Sequence, residues 1–255
     1  MNRHIARLGG CGALAIVLSS VVVSAQVPGR DQSDRDPANA GRGRGGPVAK
    51  TPKEAAPIDL AGYWVSIVSE DWRFRMVTPP KGDFPDFLLN PEGIKVANAW
   101  DPAKDEAEKD HCKAYGAPNI MRVPGRFHIT WADDQTLKIE TDAGRQTRLL
   151  KFTAGPATPP SRQGTSAARW DRKALRVDTS NLLPGYVQYN GVPASAKTTM
   201  VEYFDVIHEP GGEAWIIDDS VITDPTYHVR TIKRSTHLRK QADDEGWDPQ
   251  ACIVR

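Results

Sequence analysis

The chain has 255 residues, 39% hydrophobic and 25% charged, and its formal net charge is +1. A balance this close to zero excludes binding to nucleic acid or anionic lipid driven by bulk charge. The length allows one domain with a sizeable core, and a cysteine count of three leaves one thiol without a partner unless part of the chain is removed.

Residues 1–25, MNRHIARLGGCGALAIVLSSVVVSA, carry Arg3 and Arg7 and no acid, run apolar from Ala13 to Val23, and end on small residues at Val23-Ser24-Ala25. This is the pattern of a cleaved secretory leader, and its apolar run is shorter than the roughly 20 residues of a membrane span. Leu8-Gly9-Gly10-Cys11 resembles a lipobox, but the apolar segment follows it instead of preceding it, and no Arg-Arg pair is present. Cleavage near Ala25 predicts a periplasmic or extracellular protein whose net charge falls from +1 to −1 and whose cysteines are Cys112 and Cys252. An even pair in an oxidising compartment reads as a disulfide, and in a reducing one as two buried thiols.

Residues 26–57 contain no aromatic side chain and many Gly and Pro, which predicts a disordered tether. A single domain over 58–255 follows. Tyr63, Val65 and Ile67 alternate with Trp64, Ser66 and Val68, and the same period is expected to continue through residues 72–76. Asn90 before Pro91 and Asp101 before Pro102 are helix start signals, and the second helix would deliver Cys112 to its partner. Further strands are expected over 126–131, 136–141, 147–152, 175–179, 199–207, 214–222 and 229–239, with a loop over 153–168. Asn190-Gly191 and Pro210-Gly211-Gly212 supply turn chemistry. The fold class is mainly β: an antiparallel meander closing into a β-barrel, with a short helical insertion.

Gly62-Tyr63-Trp64 at the first strand resembles the Gly-x-Trp signature of lipocalins. The resemblance implies that Trp64 closes one end of a cavity under a basic residue of the last strand, Arg239 or Arg234. The helical insertion departs from that family, where a helix follows the barrel. The stretches 112–117 and 121–131 resemble exported bacterial proteins of no assigned function, a resemblance that implies no activity.

No phosphate-binding Gly loop, Gly-x-Ser-x-Gly elbow, His-Glu-x-x-His helix or Cys-x-x-Cys pair is present. No two histidines have metal-ligand spacing on one element, so neither a metal nor a cofactor is expected. Two carboxylates stand out on apolar strand faces: Glu202 with Met200, Phe204 and Val206, and Asp219 with Trp215, Ile217 and Val221. Turned inward, they would suit ligand orientation or general acid–base work, unless an arginine such as Arg148 or Arg230 neutralises one of them. Trp64, Trp131, Glu202, Phe204, Trp215 and Asp219 are therefore the candidate ligand-binding residues. The expected function is an exported barrel holding a small apolar or aromatic ligand. Its alternative is an isomerase or lyase using Glu202 or Asp219 as acid or base. An envelope interaction module carried on the tether is a third reading. Oligomeric state is not encoded in any of these signals.

Overall fold

The computed structural model describes residues 49–254; the leader, Cys11 and the tether up to residue 48 lie outside them. The compact unit begins at Ala49 instead of Ile58. Residues just after its start lie on the barrel: Lys53 N donates to Asp134 O at 3.3 Å, and Trp170 Nε1 donates to Pro52 O at 2.8 Å.

In chain order, β1 (Gly62–Ser66) is followed by four short helices: α1 (Trp72–Arg75), α2 (Pro91–Ala99), α3 (Pro102–Ala107) and α4 (Ala117–Ile120). Then come β2 (Arg126–Asp133), β3 (Thr136–Thr141), β4 (Ala143–Gly144), β5 (Thr147–Lys151), β6 (Thr165–Asp171) and β7 (Ala174–Ser180). The chain closes with β8 (Gly185–Gln188), β9 (Val192–Ala194), β10 (Thr199–His208), β11 (Ala214–Thr223), β12 (Ile232–Lys240) and β13 (Gln250–Ala251). Nine of these strands form a closed barrel, ordered β1-β12-β11-β10-β7-β6-β5-β3-β2. Among the described residues no helix is long and apolar enough to cross a membrane.

The expected meander is interrupted once. β5 and β6 pair in parallel, while every other junction of the ring is antiparallel. A ring with an odd number of strands cannot alternate all the way round, so one parallel junction is obligatory. The chain makes it by running the Pro-rich segment after β5 back along the outer face of that strand before β6 begins. β6 itself starts inside the span expected to be loop. Its sequence, Thr-Ser-Ala-Ala-Arg-Trp-Asp, has little intrinsic strand preference, and its place is set by pairing with β7 along its whole length.

Residues 72–76 differ from expectation too. α1 replaces the predicted strand, leaving Trp72 61% exposed while Arg75 is buried. Arg75 Nε donates to Arg122 O at 3.0 Å, and Nη1 donates to Ile67 O. One helical turn brings Arg75 back over β1, which an extended strand would not do. The expected caps are present: Asn90 Oδ1 accepts from Gly93 N at 2.9 Å and Asp101 Oδ1 accepts from Ala103 N at 3.0 Å. Cys112 and Cys252 are bonded, with their sulfurs 2.03 Å apart.

The barrel interior is layered. Towards one end Trp64, Phe127, Ile129, Leu137, Ile139, Leu150, Leu175 and Ile216 are all essentially buried and fill the space. Trp131, Phe152 and Trp170 pack at that end, with Trp131 and Phe152 stacked at 5.7 Å. Trp64 Nε1 donates to Leu60 O at 2.9 Å. The basic group over its ring is Lys240 Nζ, 4.5 Å from the centroid, and neither Arg239 nor Arg234. Lys240 is the direct cross-strand partner of Trp64 in the β1–β12 register, which places its stem on the indole. Towards the other end the interior turns polar, with Arg148, Ser166, Thr179, Glu202, Asp218, Ser220 and Thr236 all buried. A second buried apolar cluster, which includes Met200 and Ile222, lies beyond these polar residues.

Candidate functional site

Glu202 lies on the inner face of β10 between Met200 and Phe204, as the alternation predicts. Across the barrel, β5 points Arg148 at it. Arg148 Nη1 donates to Glu202 Oε1 at 2.8 Å and Nη2 to Oε2 at 2.6 Å, a bidentate pair whose side chains are 1% and 0% exposed. Nη2 also reaches Thr179 Oγ1 at 3.5 Å, and Thr179 shares a 2.8 Å hydrogen bond with Ser166. Burial opposes the charge of Arg148, but Glu202 beside it outweighs burial and holds the guanidinium pKa above its ordinary value.

Asp219, expected beside Glu202, is on the outer face of β11 and exposed, and the acid that enters the barrel is its neighbour Asp218. In the β10–β11 register Glu202 stands opposite Ser220, so Asp218 and Ser220 share its face while Asp219 shares the other. The larger apolar residues of β11, Trp215 and Ile217, are the misleading signal, because they are only half-buried on the outside. Burial first, then repulsion from Glu202, raises the Asp218 carboxyl well above the ordinary carboxylate range, partly offset by Arg148. Asp218 is therefore the member of the buried Arg148–Glu202–Asp218 cluster whose charged form is disfavoured.

Of the other candidate residues, Trp64 and Phe204 are in the filled interior, Trp131 is at the far end against Phe152, and Trp215 is half-buried on the outer face. The structure does not bring these six side chains into one pocket. The void beside Glu202, Asp218, Ser220, Arg234 and Thr236 measures about 10 Å³, roughly the space of a single water.

That void shares Arg122 and Arg234 with a larger groove at the polar end of the barrel. The groove has a volume of about 350 Å³ and is walled by Phe74 of α1, Phe87, and Ile232–Ser235 at the start of β12, with Arg122 and Gln188. Arg234 Nη2 donates to Val187 O at 2.7 Å and Nη1 to Pro118 O at 3.3 Å, and its guanidinium lies 5.2 Å from the centre of the Phe87 ring. Burial first, and then the Arg122 charge, pulls its pKa down to about 9. Arg122 Nη2 pairs with Asp71 Oδ2 at 2.8 Å.

Two other concavities are less suited to chemistry. One, of about 400 Å³, lies against Gly125, Asp142, Ala143 and Gly144. Its Asp142 is already engaged by Arg126 N at 2.7 Å and Ala143 N at 2.5 Å. The other, of about 290 Å³, lies under residues 155–166 on the outside of β5. Among the described residues no cluster of His, Cys, Asp and Glu has the arrangement of a metal site.

No family model, curated protein or solved structure matches the chain. Sequence reasoning did not find the groove, because Phe74, Phe87, Arg122, Gln188 and Arg234 come from five separate segments with no local motif. The one available hint was Arg234 itself, a cation between Lys233 and Ser235 at the start of the last barrel strand.

Proposed function

We propose that this is an exported small-molecule-binding barrel whose ligand occupies the groove at the polar end, outside the barrel interior. The observation that carries the reading is the groove itself. About 350 Å³ is within the range of small-ligand sites, and three apolar residues, Phe74, Phe87 and Ile232, meet a mostly polar lining of Arg122, Arg234, Lys233, Gln188, Ser235, Asp71 and Asp86. The filled apolar layer around Trp64 and Phe204 argues against a ligand deep inside. The Cys112–Cys252 bridge supports export, since such bonds persist in oxidising compartments. An enzyme working through Glu202 or Asp218 would need substrate beside them, and the adjoining void has room for one water.

Native mass spectrometry of freshly purified protein, joined to a nitrogen-15 NMR screen with neutral and anionic one- and two-ring aromatic compounds, tests the reading. The expected result is a retained small-molecule adduct, or amide shifts confined to the backbone around Phe74, Phe87, Gln188 and residues 232–235. A protein without adduct whose amides respond to no compound would refute it.

A further inference from the structure

We propose that the groove takes an organic oxyanion carrying an aromatic ring, with its charge clasped by Arg234 and Arg122 and its ring against Phe74 and Ile232. This rests on the groove being the ligand site and specifies what that ligand is.

Arg234 is the central observation. Its guanidinium is half-buried and held by two backbone carbonyls and the face of Phe87. Among the described residues no carboxylate lies within ion-pair distance of it. Carbonyl oxygens orient a guanidinium but do not neutralise it, and a cation drawn out of water without a counter-ion is costly. Well-packed proteins rarely keep such a group unless something completes it.

Two more guanidiniums deepen the imbalance. Arg122 is half-buried beside Arg234, and its partner Asp71 is 59% exposed to solvent, which screens that pair. Arg75 is wholly buried below, holding the Arg122 carbonyl through Nε, and its Nη2 finds no hydrogen-bond partner among the described residues. Burial and the Arg122 charge lower Arg75 to about 10 and Arg234 to about 9, so the buried and the half-buried guanidinium are each repelled by the third. Lys233 adds a cation at the rim. The acids facing this group are Glu70, engaged by His237, Asp71, engaged by Arg122, Asp86, exposed on the rim, and, across the small void, Glu202, engaged by Arg148, with Asp218 beside it.

The shape narrows the anion. A bare inorganic ion would leave most of about 350 Å³ unfilled and the walls at Phe74 and Ile232 uncovered. The planar fork of arginine matches the two oxygens of a carboxylate or of a phosphate monoester, and apolar walls match a ring. A ring bearing either group places both parts at once.

Titration of the purified protein with 2-naphthoate, 2-naphthyl phosphate, neutral 2-naphthamide and inorganic phosphate, by calorimetry and amide NMR, tests this. One or both ring-bearing anions should bind at least tenfold more tightly than the amide or inorganic phosphate, more weakly as salt rises, with shifts around Phe87 and residues 232–235. Which of the two binds better distinguishes a carboxylate from a phosphate ligand. Arg234→Gln and Arg122→Gln should each weaken the anion at least tenfold and leave the amide unchanged; Arg122→Gln serves alone if the other variant does not fold. If naphthamide binds the groove as tightly as the anions, the oxyanion inference fails and the small-molecule reading survives. Inorganic phosphate binding as tightly as the organic anions removes the ring. If none of the anions binds the wild-type protein, the inference falls, and the native spectrum decides separately whether the groove holds any ligand.

Discussion

Replacing Glu202 with glutamine keeps the side-chain shape and removes the charge that faces Arg148. The pair is buried to 1% and 0% exposure, so water cannot take over for the lost carboxylate. Removing one partner of such a pair ordinarily costs about 3–5 kcal/mol. Asp218 changes that expectation. Burial and Glu202 disfavour its charged form, while Arg148 pulls the other way. Without the Glu202 charge, the repulsion vanishes and the attraction remains, so Asp218 releases its proton and becomes the counter-ion. Glu202→Gln alone is then expected to cost about 1–3 kcal/mol, and Asp218→Asn alone close to zero, because the charged form of that group is already disfavoured. The double substitution strands Arg148 and should cost the full amount, about 3–5 kcal/mol, a coupling of about 1–3 kcal/mol. Urea unfolding of the four proteins at pH 7 measures the cycle. The cost of Glu202→Gln should also grow as pH falls and Asp218 regains its proton. Additive free energies, or a Glu202→Gln cost that ignores pH, would refute the idea that Asp218 holds a proton in reserve.

Three further outcomes follow from neighbouring contacts. Asp224 is 3% exposed and accepts from Ser195 N, Thr198 Oγ1, Thr226 N and Tyr227 N, tying two loops at the polar end. Burial opposes its charge, but those donors win and lower its pKa. Its contribution is thus present above the ordinary carboxylate range and is lost as pH falls through its folded value; Asp224→Asn should cost about 2–3 kcal/mol at pH 7 and flatten that acid limb in pH-dependent melting. Reducing Cys112–Cys252 opens a loop spanning a separation of 140 residues. On the chain-entropy model this should cost about 4–5 kcal/mol, lowering Tm by about 10–15 °C in calorimetry with and without reductant. Lys240→Met keeps the stem over Trp64 and removes the ammonium, which also donates to Ala61 O. Urea midpoints should report a loss of about 1 kcal/mol, and no change would show that the cation adds nothing to the indole.

The barrel was legible because its strands announce themselves locally. Trp64 and Ser66, Phe127 and Ile129, Leu137 and Ile139, and Met200, Glu202 and Phe204 all turn inward in the alternation read from the chain. The helix caps at Asn90 and Asp101 were equally local, since each side chain bonds a backbone two or three residues away. β6 was missed because Ser, Ala and Arg give no strand signal and only pairing with β7 makes it one. Asp218 was missed for a different reason. The rule that the apolar face points inward fails where the interior itself is polar, and β11 crosses that layer.

Alternation and caps depend on neighbours along the chain, so the order of residues decided a mainly β fold with a helical insertion. The parallel junction of β5 with β6 follows from closing an odd ring, a property of the whole barrel and of no single strand. The inward turn of Asp218, the Lys240 cover on Trp64 and the meeting of Arg75, Arg122 and Arg234 were decided only in three dimensions. Charges reach one another through space, and these come from segments that no sequence period relates.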